Sequence, residues 1–129
     1  MSGERGSNYA FAEGFKLRTK NFAMRVIKLF QALPDKAEAQ ILGKQLLRSA
    51  TSVAANYRAA CRARSAAEFA AKIGVVLEEA DESLFWLEML EESGIVKAEL
   101  LINLKREAGE LTAILTSIRK SSTKKKATL

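Results

Sequence analysis

Glu78, Glu79, Asp81 and Glu82 crowd positions 78 to 82. Carboxylates clustered on helices can hold paired metal ions, but such sites draw Glu-x-x-His motifs from two helices. The chain has no histidine, and no second helix offers matching carboxylates. The cluster therefore reads as a solvated face, or as a face that pairs with arginines of a neighbouring subunit, and no metal is expected. Lack of histidine also removes the commonest general base. Cys61 is the one cysteine, which excludes an intrachain disulfide and a thiolate zinc site. A free cysteine is usually a small packed residue, and Cys61 is read that way. With no nucleophile–base pair in sight, neither an enzyme nor a cofactor is expected.

What remains is the chemistry of cations. Arg58, Arg62 and Arg64 close the stretch QLLRSATSVAANYRAACRAR, residues 45–64. Lys16, Arg18, Lys20 and Arg25 stand upstream, Lys72 follows, and Arg119, Lys120, Lys124, Lys125 and Lys126 gather near the end of the chain. The formal net charge is +6. Guanidinium and ammonium groups bind phosphates, so a polyanion is the natural partner if these residues meet in space. No helix-turn-helix, zinc-finger or RNA-binding aromatic motif is visible, so sequence-independent phosphate binding is the form expected.

Whether they meet depends on the elements that carry them. The chain has 129 residues, 48% apolar and 28% charged, enough for one domain with a hydrophobic core. Pro34 is the one proline, and residues 15 to 120 hold few helix breakers. No uncharged apolar run approaches the ~18 residues of a membrane span, and no signal peptide is seen, so a cytoplasmic protein is expected. Residues 1 to 14 are glycine-rich and read as a flexible arm. The first helix, about 20–33, carries Phe22, Val26, Leu29 and Leu33 at helical spacing, with Ile27 and Phe30 widening the stripe. The second, about 36–63, starts with Asp35 as N-cap and continues on Leu42, Leu46, Ser49, Val53, Asn56 and Ala60. The third, about 66–93, opens on a capping box of Ser65 and Glu68, carries Phe69, Ile73, Val76, Ala80, Leu84, Leu87 and Leu90, and stops at Gly94. The fourth, about 97–120, runs on Leu100, Leu104, Ala108, Leu111, Leu115 and Ile118. Residues 121 to 129 read as a disordered basic tail.

Helices joined by such short connections pack antiparallel. The fold class is all-α: an up-down-up-down, left-handed four-helix bundle with crossing angles of about +20°. That topology brings the start of the first and third helices to the same end as the close of the second and fourth. The basic residues listed above converge there, faced by Glu13 and Glu68. Cations at helix C-termini also favour the macrodipole, but that does not account for the basic start of the first helix. Leu84, Phe85, Trp86 and Leu87 spread around ~300° of their helix, more than a bundle core covers. Phe85, Trp86 and Met89 are therefore expected at a subunit interface, where aromatics and methionine are enriched. Asn56 is expected to be buried and hydrogen-bonded across the bundle, fixing register, while the neighbouring Ala and Ser residues let helices approach closely.

Residues 45–94 also carry a family resemblance. Gln45, Leu46, Arg48, Ala50, Ser52 and Asn56, then Ser65, Glu68, Phe69, Ile73, Gly74 and Gly94, resemble the signature of the four-helix-bundle family of 23S rRNA intervening-sequence proteins. The likeness extends over about residues 20 to 118. Where that family often has Ile-Ala-Glu-Gly after the asparagine, this chain has Tyr57, Arg58, Ala59 and Ala60, a base in place of an acid. The resemblance implies an up-down bundle assembling as a ring-like homopentamer, with no established enzymatic activity. It extends to the accessory variability determinant proteins of diversity-generating retroelements, basic pentamers that bind nucleic acid and a reverse transcriptase. Two functions follow as expectations: an oligomeric module binding RNA or DNA through its basic end, or a structural adaptor whose basic end faces an acidic protein.

Overall fold

The structure, a computed structural model, describes residues 3–128, with side chains for residue 6 and residues 8–123. Four α-helices follow one another: α1 (Gly3–Ala32), α2 (Ala37–Ala60), α3 (Ala66–Glu92) and α4 (Ala98–Thr128). No strand occurs among the described residues. Each helix packs on its neighbours in the chain, and α1 also touches α4. Pairings across the seams establish the antiparallel order. Phe15 meets Tyr57 while Phe30 lies against Gly43. Ser49 meets Ser83, and Gly74 meets Arg119 while Glu91 meets Lys105. The all-helical four-helix bundle is thus the observed fold. None of the described helices is long and apolar enough to cross a membrane.

The core follows the helical stripes. Val26, Leu46, Val53, Ile73, Val76, Leu87, Leu90, Leu111 and Leu115 are all fully buried. Each such side chain stabilises the fold by roughly 1.5–3 kcal/mol relative to exposure. Two positions depart from the expected stripes. Leu101 takes the core place on α4, leaving Leu100 70% exposed. Tyr57, not Asn56, turns into the core on α2. Asn56 is only half-buried, and its Nδ2 donates to Ser52 O of its own helix at 3.0 Å. The expected polar contact across the bundle is made instead by two buried hydroxyls, Ser49 on α2 and Ser83 on α3, whose Oγ atoms lie 3.0 Å apart. Ser49 Oγ donates to Leu46 O, so neither end of this small polar pair is left unsatisfied.

Helix boundaries also differ from expectation, each for a local reason. α1 begins far upstream of residue 20, inside the segment expected to be a flexible arm. Phe11, Phe15, Thr19 and Phe22 recur every three or four residues, and Phe15, Thr19 and Phe22 are buried. That buried stripe outweighs the helix-weakening glycines at 3, 6 and 14. Residues 1 and 2 lie outside the described part of the chain. At α2, Lys36 N donates to Pro34 O at 2.9 Å, and this tight turn makes Lys36 the N-cap in place of Asp35. The capping box of α3 forms on its first half: Ser65 Oγ accepts from Glu68 N at 3.0 Å. α3 ends through Ser93 into Gly94, whose φ of 79° is the left-handed C′ geometry that glycine adopts without strain. α4 continues through residues expected to be a disordered tail, as far as Thr128.

Candidate nucleic-acid interface

Antiparallel packing sets the close of α2 beside the first half of α1. A groove of about 600 Å³ runs between them. Its floor is small, made by Ala23, Thr51, Ala54 and Ala55, so the two backbones lie close. Its rim is cationic: Lys16 and Lys20 from α1, Arg58 and Arg62 from α2. Glu13 is the one carboxylate on the lining, and it is already paired with Lys16 at 2.6 Å. Lys20, Arg58 and Arg62 have no carboxylate within 4 Å among the described residues. Three free cations above an apolar floor can follow a phosphate backbone without first breaking an ion pair.

The other basic residues extend around the same end rather than joining this groove. Lys72 and Arg64 border a shallow recess on α3, where Arg64 Nε stands 3.8 Å from Glu68 Oε2. On the seam between α3 and α4, the Arg119 guanidinium lies over Gly74; a Cβ there would stand 3.3 Å from Arg119 Cζ. Glycine thereby seats this arginine flat on α3. Lys120 is exposed and, like Lys72 and Arg119, unpaired among the described residues. The side chains of Lys124, Lys125 and Lys126 lie outside the described residues. The cations thus form a belt, with its densest part between α1 and α2. Lys16, one turn before Lys20, lines that part as expected from the sequence, but it is held by Glu13.

Two expected members do not belong to the belt as imagined. Arg18 is committed elsewhere: its Nε and Nη2 donate to Glu107 Oε2 and Oε1, both at 2.8 Å, and Nη2 also donates to Glu110 Oε1 at 2.7 Å. This fork joins α1 to α4 and holds the Glu107 carboxyl below the usual carboxylate range, against the opposing effect of burial. Arg25 lies further down α1, opposite the middle of α2 by the Phe15–Tyr57 and Phe30–Gly43 register. It shares a recess with Arg18 and Glu107. The acidic residues near 107 were missed as partners because they lie about ninety positions away in the chain.

Two of the four acidic residues of α3, Glu79 and Glu82, are paired within the chain, while Glu78 and Asp81 are exposed and unpaired among the described residues, as a solvated face. Arg48 of α2 donates to Glu79 at 3.2 and 3.3 Å and to Glu82 Oε1 at 2.7 Å. For Glu79 and Glu82 the arginine partner thus comes from the same chain. Trp86 Nε1 donates to the same Glu82 oxygen at 3.1 Å. That bond, followed by Arg48, holds the Glu82 carboxyl low. Trp86 is half-buried and packs against the core of its own bundle, and Met89 is half-buried too. Phe85 is 48% exposed and stands edge-on to Trp86 with ring centroids 4.9 Å apart. Of the three residues expected at a subunit interface, Phe85 is the one that presents a largely free ring.

Comparison with known proteins places these features in context. The profile of a family described as 23S rRNA-intervening sequence protein matches residues 16–117. A crystal structure of a protein with unknown function from the S23 ribosomal protein family of Bacteroides thetaiotaomicron is similar at 33% identity and a TM-score of 0.78. The match covers 84% of this chain and 97% of that one. No curated protein matches the chain.

Proposed function

The chain belongs to the 23S rRNA-intervening sequence protein family, and from that premise we propose that it is a non-enzymatic, cytoplasmic binding module that holds RNA or DNA by its phosphates. The observation that carries this reading is the groove between α1 and α2, where Lys20, Arg58 and Arg62 are unpaired and the single lining carboxylate is already neutralised. The belt formed by Lys72, Arg119 and Lys120 lengthens the same positive surface. In this reading the protein works as a homo-oligomer, the pentamer that the family resemblance implies, and the exposed Phe85 supports such an assembly. Symmetry then repeats the basic end and multiplies a weak contact. Partnership with a reverse transcriptase rests on the resemblance alone.

The test is fluorescence anisotropy with a labelled RNA and a labelled DNA at low salt, alongside light-scattering mass. The expected result is binding to both that weakens steeply as salt rises, by an oligomer. Absence of binding at low salt refutes the reading. A second reading keeps the protein adaptor but moves its docking surface from the basic end to the opposite one, where Ile41, Leu100 and Ile102 are exposed near the starts of α2 and α4. A protein partner that binds equally well after Arg58, Arg62 and Arg64 are changed to alanine supports the adaptor instead.

A further inference from the structure

At the basic end a second cleft, of about 500 Å³, opens between the early turns of α1, residues 117–122 of α4 and the α2–α3 corner. Building on the phosphate-binding reading, we propose that this cleft receives an unstacked base of single-stranded nucleic acid, so that the module distinguishes single strands from duplex. Its walls are Phe11, Tyr57, Phe69 and Ile118. Phe11 is 50% exposed yet fixed in place, because its ring stacks on Phe15 at 5.6 Å and 10°. Phe15 in turn stands edge-on to the buried Tyr57 at 4.8 Å and 79°. The three rings make a ladder whose outer rung is free. A held aromatic face is the platform on which bases stack without regard to their identity.

The polar lining suits the edge of a base. Asn8 offers both donor and acceptor, and the Ser117 and Ser121 hydroxyls make no hydrogen bond among the described residues, so both are open to a ligand. Tyr57 is buried and closes the floor of the cleft; burial above all, with the neighbouring Cys61, pushes its pKa up. No carboxylate lines the cleft among the described residues. Arg62, which rims the neighbouring groove, follows Cys61 of the cleft wall, and Arg119 and Lys120 adjoin Ile118 and Ser121 in the chain, so the cleft belongs to the same basic end. The bases of a duplex are stacked on one another and cannot enter a cleft walled by two helices, whereas a single strand can turn one base inward.

The experiment compares a single-stranded oligouridine with an RNA duplex of equal length, titrated by anisotropy against the wild-type protein and two variants. Phe11→Ala removes the outer rung at an exposed position, and Ser121→Leu fills the cleft from an exposed position on α4. Each is expected to weaken single-strand binding about tenfold and to leave duplex binding unchanged. A single strand carrying 2-aminopurine should lose fluorescence on binding to the wild type and not to Phe11→Ala. If both variants hold the single strand as tightly as the wild type, the cleft inference is overturned while phosphate binding stands. If the wild type binds neither nucleic acid, both fall together.

Discussion

Changing Lys20, Arg58 and Arg62 together to alanine should flatten the salt dependence of nucleic-acid binding. Each phosphate neutralised on a duplex contributes about 0.9 to the slope of log affinity against log salt, and on a single strand about 0.7. All three side chains line one groove, and none has a carboxylate within 4 Å among the described residues. Each is therefore able to face a phosphate, and their removal lowers the slope by about 2.7 on duplex and about 2.1 on a single strand. Over a fourfold rise in salt, from about 50 to about 200 mM, the duplex figure makes the wild-type advantage shrink by roughly 40-fold. Arg18→Ala is the control. Its guanidinium is already held by Glu107 and Glu110, so its loss should leave the slope close to that of the wild type. Anisotropy titrations at four or five salt concentrations measure both slopes, with light scattering to show that assembly is unchanged. A triple variant with the wild-type slope refutes the reasoning, and so does an Arg18→Ala slope that falls as far as that of a groove variant.

Gly43→Ala and Gly109→Ala should have opposite signs in thermal unfolding. A Cβ on Gly43 would stand 2.5 Å from Leu33 Cδ1 and 2.9 Å from Phe30 Cδ1, and the crowding should outweigh the helix gain, for a net loss of about 1 kcal/mol. A Cβ on Gly109 meets nothing within 4 Å, so only the helix gain remains, up to about 1 kcal/mol. Acid should loosen the contact between α1 and α4. Arg18 depresses the Glu107 pKa in the folded state, so its stabilisation is whole above the ordinary carboxylate value and is lost as pH falls through the lowered one. In urea unfolding, wild type should therefore exceed Arg18→Ala by about 1 kcal/mol at neutral pH, with the gap closing in strong acid. For Ser49 and Ser83, the double alanine variant should cost less than the two single changes added together, because the pair is lost as a unit; additive costs in a double-mutant cycle would contradict this.

The parts of the fold that repeat along one helix could be read before any coordinates. Val26, Leu46, Ile73, Leu87 and Leu111 are core residues because apolar positions recur at 3.6-residue spacing, and Pro34, Ser65 and Gly94 mark ends by local backbone chemistry. Choices that depend on a neighbouring helix were harder. Asn56 and Tyr57 are adjacent, and only the ring of Phe15, packing edge-on from α1, decides that Tyr57 turns inward. Leu100 and Leu101 present the same ambiguity on α4. The N-terminal turns of α1 are less legible, because glycines at 3, 6 and 14 weaken the helical signal that the Phe11–Phe15–Thr19–Phe22 stripe carries. The clustering of basic residues at one end follows from topology, so Arg58, Arg62 and Lys20 could be brought together from sequence. Which of the cations are free could not, since Arg18 is neutralised by carboxylates distant in the chain.

Three of the four seams join helices that follow each other directly, whereas α1 meets α4 sparsely. The bundle is in this sense a folded strip whose two edges are held by a latch, the Arg18 fork on Glu107 and Glu110. Contacts between chain neighbours form quickly, so the strip should assemble before its edges close, and sub-global opening should begin at the latch. Lys16 and Lys20 of the groove and Phe11 of the cleft all ride on α1. When that edge swings away, the charged surface and the aromatic rung depart together, and the strip that remains keeps much of its core but loses its grip.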